Sequence, residues 1–243
     1  MALHKDEAIV LSARVFGESD KILRFFTLSS GKLSGIAKGG KKSQKRFMNT
    51  LELFNHINIE YFEKFGKGLV RIDNADLIEA NNGIESSFKK MCVAAFFTEF
   101  VDRLTKEKER NEPLFRFLKS SLNRVKSVEF TCSDVLYYQL QMLDHLGYMP
   151  NFKTCVQCGK DLAEHEKVSF SNERGGTVCP VCSRSVPHRR YPEGVVTRLS
   201  DPEAVNAIDN HAFERHGREI LEAFTSFHLN VEFKSYRLLR SVT

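Results

Sequence analysis

The sequence predicts an α+β protein with a five-stranded N-terminal β-barrel, an α-helical domain and an inserted four-cysteine ribbon. Three observations support this fold class. Apolar residues follow a period of two up to about residue 80, a helical period follows, and two C-x-x-C pairs interrupt the helical part. We expect the barrel in residues 1–80, the helical domain in 81–150 and 186–243, and the ribbon in 151–185.

Five short strands are predicted in the first eighty residues, at 8–14, 21–28, 32–38, 51–62 and 69–72. The fourth has the clearest period-two face, formed by Leu51, Leu53, Ile57, Ile59 and Tyr61. Turns are predicted at 29–31 and 65–68, where glycine is present. Because closure buries the edges of such short strands, we expect an OB-type barrel, with an SH3-like barrel as the alternative.

Helical periodicity begins after Gly83. Apolar stripes indicate helices over 88–100, 114–125 and 135–146, and the first stripe contains Phe88, Cys92, Ala95, Phe96 and Phe100. Gly147 and Pro150 end the third helix. A further helix start is predicted at 200–203 and an amphipathic helix at 213–229. We expect the helices on both sides of the cysteine segment to pack into one domain.

The positive charge of the chain is unevenly distributed. The formal net charge is +5, and residues 21–51 contain eight basic residues and no acidic one. Five of the eight lie in the K-G-G-K-K-S-Q-K-R run at 38–46, between two predicted strands. A solvated flexible loop is the ordinary interpretation of such a run. A nucleic-acid backbone is the partner that would neutralise it.

Four of the six cysteines have the spacing of a metal site. Cys155 and Cys158 form one C-x-x-C pair, and Cys179 and Cys182 form a second pair after twenty intervening residues. Two such knuckles can converge on one tetrahedral centre, so we predict one structural zinc per chain, held by all four thiolates. Cys92 and Cys132 lack such partners and are predicted to be core residues.

No catalytic motif emerges, and we predict that the protein is not an enzyme. The run from Gly35 to Lys42 nearly matches a phosphate-binding loop, but Lys42 replaces the hydroxyl residue and a strand follows where a helix is required. Asp73 and Asp76 are the only carboxylate pair considered for a nucleic-acid-cleaving enzyme, which is one rival hypothesis. The polar N-terminus and the lack of a 20-residue apolar run predict a cytoplasmic protein without membrane contact.

Aromatic residues alternate with the basic ones in the predicted barrel. Most should face the core, but Phe47 and Phe62 lie off the predicted core face of the fourth strand. These two are therefore the predicted base-stacking residues.

Residues 9–43 resemble the start of the bacterial DNA repair protein family RecO. The similarity is carried by the first strand, by G-E-S-D at 17–20, by Gly31-Lys32 and by the basic glycine loop from Lys38. It continues from L-E-L-F at 51–54 to L-I-E at 77–79, and L-G-Y-M-P at 146–150 followed by C-V-Q-C-G also looks like this family.

The resemblance implies a recombination mediator of the RecF pathway with an OB-fold, a helical domain and a zinc ribbon. Such a mediator binds single- and double-stranded DNA, anneals complementary strands without ATP, and assists recombinase loading with RecR and single-strand-binding protein. It implies a location at the bacterial nucleoid. The implied DNA contacts are Arg14, Arg24, Lys32, Lys38, Lys41, Lys42, Lys45 and Arg46.

A second rival hypothesis is a zinc-ribbon RNA-binding or translation-associated module, because basic barrels bind both nucleic acids.

A final expectation concerns the contact with single-strand-binding protein. Members of the RecO family bind single-strand-binding protein through the acidic C-terminal tail of that protein, which ends in an apolar residue. Residues 193–232 hold eight acidic and three basic side chains, whereas Lys234, Arg237 and Arg240 lie in the last eleven residues. We expect the tail to dock on the helical domain, separately from DNA.

Overall fold

The structure is a computed structural model that describes residues 2–63, 68–162, 168–206 and 211–242, without the side chains of Gln44, Lys45 and Asn206. The described chain groups into two compact units, one ending at Glu129 and the other running from Phe130 to Ser241. No helix within these ranges is long and apolar enough to cross a membrane.

The first unit contains a closed barrel of five strands. They are β1 (Leu3–Phe16), β2 (Asp20–Thr27), β3 (Gly31–Ala37), β4 (His56–Phe62) and β5 (Leu69–Glu79), in the spatial order β1-β2-β3-β5-β4. All neighbours are antiparallel except β3 and β5, which are parallel. This closed five-stranded order confirms the predicted OB-type barrel. Its core contains Val10, Phe25, Ile57, Ile59 and Val70.

The fourth strand is shorter than the sequence predicts. It begins at His56, and the preceding segment from Leu51 is a loop that includes the left-handed residue Phe54, with φ of 70°. The side chain of Asn55 holds this loop by donating to the carbonyl of Asn49 at 2.9 Å. Leu53, predicted on the core face, is therefore 46% exposed. Most of the predicted turn at 65–68 falls outside the described residues.

Between β3 and β4 lies a one-turn helix, α1 (Gln44–Phe47), and two longer helices follow the barrel. These are α2 (Phe88–Leu104) and α3 (Glu112–Ser127), whose N-caps Ser87 and Asn111 accept hydrogen bonds from the first helical turns. Phe88 opens α2 and is exposed, unlike the rest of its predicted stripe. By packing, α2 and α3 belong with the barrel, although the predicted boundary falls at residue 80.

The second unit combines the remaining helices with a small sheet. Helix α4 (Cys132–His145) begins with a capping box, and the chain then forms β6 (Ser169–Ser171), β7 (Gly176–Val178) and β8 (Arg189–Arg190) in the order β7-β6-β8. Within the described residues, the unit is completed by the α-helices α5 (Val195–Arg198), α6 (Pro202–Asn206), α7 (His211–Leu229) and α8 (Ser235–Leu239). Because α4 contacts α6 and α7, helices on both sides of the cysteine segment pack together.

Candidate functional site

The four ribbon cysteines converge on one point. Their sulfur atoms all lie within 4.8 Å of one another, and the Sγ atoms of Cys158 and Cys179 are 3.9 Å apart. A tetrahedral zinc with bonds of about 2.3 Å places its sulfur ligands about 3.8 Å apart. Four thiols therefore fit a metal ion of this kind, and the cluster can hold one.

Local turns place the sulfur atoms. Gly159 follows the first pair with φ of 75°, and its amide donates to the carbonyl of Cys155 at 2.8 Å. The amide of Ser183 makes the equivalent bond to Cys179 at 2.9 Å. Each C-x-x-C pair thus forms the predicted knuckle. Between these turns, the sheet strand β7 leads directly into Cys179.

The electrostatics of the cluster favour a bound cation. Burial raises the pKa of the Cys155 thiol, but backbone N–H groups of Cys179, Cys158 and Gln157 outweigh it and lower the pKa to about 6. Hydrogen bonding with Cys179, followed by burial, raises the pKa of Cys182 to about 12. Cys182 therefore retains its proton beside the thiolates of its neighbours, and a divalent metal would displace that proton.

The basic loop, which we define as residues 38–46, lies at one end of the barrel. Lys21 on β2 pairs with Ala37 at the end of β3, so the loop leaves β3 beside the β1–β2 turn. The main-chain amide of Lys41 donates to the carbonyl of Ser19 at 2.8 Å. Asp20 accepts from the amide of Gly39 at 2.9 Å and from the Lys38 ammonium at 2.6 Å. The Asp20 carboxylate therefore anchors the start of the loop.

These contacts divide the predicted cations at this end into two groups. Lys38 is paired with Asp20, and the hydrogen bond from Lys38 lowers the pKa of that carboxyl. Arg46 donates to the carbonyl of Lys38 at 2.7 Å and lies over the ring of Phe47. Arg14, Lys41 and Lys42 are exposed and form no ion pair within the described part of the chain. The side chain of Lys45 lies outside the described residues.

Two other predicted cations are held by one buried carboxylate on α2. Arg24 contacts Asp102 at 2.9 Å, and the Lys32 ammonium donates to the main-chain carbonyl of Asp102 and lies 3.8 Å from its carboxylate. Burial lowers the pKa of Lys32 and raises that of Asp102, and each effect is partly offset by the opposite charge. The Lys32 side chain is only 11% exposed. Its ammonium is therefore largely enclosed by its own protein, and a direct DNA contact by Lys32 stays a prediction.

The segment after α2 explains this enclosure. The amide of Lys108 donates to the carbonyl of Lys32, and Ser34 donates to Glu107 at 2.8 Å. Gly31, with φ of 70°, is where a side-chain carbon would collide with the backbone of Glu109. The glycine thus lets this segment pack against the start of β3. Lys32 and Asp102 are 70 positions apart in the sequence, so no local pattern predicts their contact.

Neither of the two predicted stacking residues presents an exposed ring beside the basic loop. Phe47 is 4% exposed and packs in the barrel core, so its prediction as a stacking residue is wrong: no base can reach the ring. Phe62 pairs with Leu3 at the start of β1, whereas the basic loop lies beside the end of β1. The guanidinium of Arg71 lies 5.3 Å from the Phe62 ring centroid. Stacking by Phe62 stays a prediction.

A different aromatic residue, Phe16, lies beside the basic loop. We call this end of the barrel, with Arg14, Phe16 and the basic loop, the basic end. Phe16 is the last residue of β1, lies directly opposite Asp20 and is 52% exposed. Its neighbour Gly17 has φ of 62° and begins the turn. The available signal was the F-G-E-S-D sequence, in which an apolar residue immediately precedes a tight turn. Such a position lies at the tip of a hairpin rather than over a core.

A closed barrel of this strand order, followed by helices and a four-cysteine cluster, defines an OB-fold protein with a ribbon able to bind metal. Comparison with protein families identifies the group. The model described as "Recombination protein O N terminal" matches residues 1–81, and "Recombination protein O C terminal" matches residues 85–237. The chain belongs to this family, and the membership supports a role in DNA repair and recombination.

Individual relatives match over almost their entire length. A protein named DNA repair protein RecO from Thermoanaerobacter sp. (strain X514) is 35% identical over 97% of this chain and 96% of its own. The protein of the same name from Caldanaerobacter subterraneus subsp. tengcongensis is 32% identical, with the same coverage. That from Myxococcus xanthus (strain DK1622) is 29% identical over 100% of this chain and 99% of its own.

Proposed function

We propose that this chain is a recombination mediator that binds single- and double-stranded DNA, anneals complementary strands without ATP and assists recombinase loading. The observation that carries the proposal is a group of cations at one end of an OB-type barrel, Arg14, Lys41 and Lys42, which form no ion pair with the residues that the structure describes. The loop between the first two strands of OB barrels binds oligonucleotides, and here the basic loop is hydrogen-bonded to the β1–β2 turn through Lys41 and Ser19. Cations that have no carboxylate partner can neutralise phosphates without first breaking an ion pair.

The mechanism follows from charge compensation. Two strands of DNA repel each other, so a surface that neutralises both lowers the barrier to their approach. The main chain of the loop is fixed to the barrel by Asp20 and by the Lys41 amide, so the backbone that carries Lys41 and Lys42 is positioned before DNA arrives. Phosphate contacts leave the base edges free to pair. No chemical step is needed, and we propose that the protein is not an enzyme.

The proposed cofactor is one structural zinc per chain, bound by Cys155, Cys158, Cys179 and Cys182. Four thiolate ligands leave no position for water or substrate, so the metal would stabilise the ribbon and not activate a reactant. Within this unit, Asn172 follows the ribbon strand β6 and its carbonyl lies 2.5 Å from His228 Nε2 on α7. The metal would thus stabilise a ribbon that is packed on the helices.

The proposed partners are RecR and single-strand-binding protein, with the nucleoid of a bacterial cytoplasm as the location. In the second unit, Arg237 and Leu238 are adjacent, exposed residues of α8. An exposed cation next to an exposed apolar residue suits an acidic peptide that ends in an apolar residue. This supports docking of the tail on the second unit.

The test combines annealing with the salt dependence of binding. The triple variant Arg14→Ala, Lys41→Ala, Lys42→Ala should anneal labelled complementary strands more slowly, without nucleotide and with or without single-strand-binding protein. Its plot of log affinity for single strands against log salt should be less steep by about 2 units, because each lost phosphate contact contributes about 0.7.

The matched control removes the same charge elsewhere in the first unit, through Arg103→Ala, Lys106→Ala and Arg124→Ala. These residues are also exposed. Annealing and salt slope should stay close to those of the unmodified protein. Equal slopes for both triple variants would contradict the assignment of DNA binding to the basic end. A preference for RNA in direct competition would favour an RNA-binding module.

A further inference from the structure

The end of the β1–β2 hairpin presents an aromatic ring on the same side as a cation. Side chains alternate along a strand, so Arg14 and Phe16 lie on one face of β1 and Val15 lies on the other. Phe16 is 52% exposed, at the end of a strand in which only Ala8 to Leu11 are buried. Folding therefore leaves this ring largely in contact with solvent.

The ring is also held close to the basic loop. Phe16 pairs directly with Asp20, and residues directly opposite in such a pair have Cβ atoms about 4.5–5.5 Å apart. The same Asp20 binds the amide of Gly39 and the ammonium of Lys38. In the turn itself, the main-chain carbonyl of Ser19 accepts a hydrogen bond from the amide of Lys41. Two independent hydrogen-bonded links thus fix the hairpin tip beside the loop.

We infer that Phe16 is a base-stacking residue that binds an unpaired nucleobase while Arg14, Lys41 and Lys42 hold the neighbouring phosphates. This inference rests on the proposed function, because it names the part of the DNA contact that is not electrostatic. A base stacked on an aromatic ring is stabilised whatever its identity, and a base within a duplex is already stacked on its neighbours. Phe16 therefore gives the basic end a preference for unpaired strands.

The chain contains no tryptophan, which makes a direct optical test possible. The variant Phe16→Trp introduces a single indole at the hairpin tip, and stacking of a base on it should quench its fluorescence when a single-stranded oligonucleotide is added. The matched control is Val15→Trp, which lies on the opposite face of the same strand and is similarly exposed at 55%. It should show little quenching at the same saturation of binding.

A second measurement separates stacking from charge. Phe16→Ala should weaken single-strand affinity at least about fivefold, the lower end of the effect of losing one stacked base, with an unchanged salt slope. Phe16→Leu should not restore affinity, whereas Phe16→Tyr should. Since Phe16 is exposed, the midpoint of thermal unfolding should be nearly the same for the Trp, Ala, Leu and Tyr variants at position 16.

The outcomes distinguish the inference from the proposal on which it depends. Tight DNA binding by the Phe16→Trp protein without quenching, or equal quenching at positions 15 and 16, would overturn the stacking role and leave the proposed function intact. Restoration of affinity by Phe16→Leu would likewise overturn it. Failure of the unmodified protein to bind any single-stranded DNA would refute the proposed function and the stacking role together.

Discussion

Asp102 connects the stability of the barrel to the electrostatics of its surface. Its side chain is 7% exposed, and burial raises its pKa despite the proximity of Arg24 and Lys32. The same burial lowers the pKa of Lys32. The three side chains therefore depend on one another, because removal of the carboxylate leaves an ammonium group without its counter-charge in a largely enclosed position.

We predict that Asp102→Asn lowers the free energy of unfolding of the barrel unit by about 2–3 kcal/mol. Loss of one member of a fully buried pair costs about 3–5 kcal/mol, and the half-exposed Arg24 reduces the effect here. Hydrogen exchange of the β2 and β3 amides measures the change. The control Asp73→Asn breaks the exposed ion pair with Arg71 and should cost less than about 1 kcal/mol. Equal effects of the two substitutions would contradict this account.

At the scale of elements, the ribbon depends on its four sulfur ligands. Among the described residues, its own core is small: Leu162, Val178 and Val186 are buried with Cys155 and Cys179, and Val156 and Val168 pack against them. A segment with so little apolar surface needs a further source of stability. A metal bound only in the folded state supplies it through the binding free energy.

We predict that Cys155→Ser or Cys179→Ser lowers the zinc content from about one ion per chain to nearly none and unfolds the ribbon locally. Elemental analysis and hydrogen exchange of β6 and β7 measure the two effects. The barrel amides should keep their protection, because β1–β5 share a separate core. As control, Cys92→Ala changes a buried cysteine outside the cluster and should retain the metal. Unmodified protein purified without chelator and free of zinc would contradict the prediction.

Much of this architecture is predictable because its signals are local. Period-two patterns predict the strands, and the C-x-x-C spacing predicts the cluster. The start of β4 at His56 is not predictable, since the positive φ of Phe54 is imposed by contacts of the surrounding loop and not by glycine. The pairing of Lys32 with Asp102 is equally inaccessible. It depends on how α2 packs on the barrel, which no short sequence window contains.

For the whole molecule, the proposed contacts with DNA and with the acidic tail fall in different compact units. Arg14, Lys41 and Lys42 belong to the unit that ends at Glu129, and Arg237 and Leu238 belong to the other. Arg240 is paired with Glu222 at 2.5 Å, whereas Arg237 has no ion pair within the described residues. Arg237 is therefore the cation of α8 that is available to a carboxylate.

We predict that the protein binds DNA and the acidic tail of single-strand-binding protein at the same time. A labelled tail peptide should bind with the same affinity to free protein and to protein saturated with single-stranded DNA, as measured by fluorescence anisotropy. Arg237→Glu should weaken binding of the peptide at least about tenfold, because it places a negative charge beside an acidic ligand. It should leave DNA binding unchanged.

The double variant Lys41→Glu, Lys42→Glu should have the opposite effect: the affinity for DNA should fall and the affinity for the peptide should stay the same. This reciprocal pattern requires two surfaces, since each charge reversal acts within about one Debye length, roughly 8–10 Å at physiological salt. Full displacement of the peptide by DNA, or loss of both ligands in either variant, would show that one basic surface serves both. The tail would then have to leave before DNA binds, and the protein could not hold both ligands during annealing.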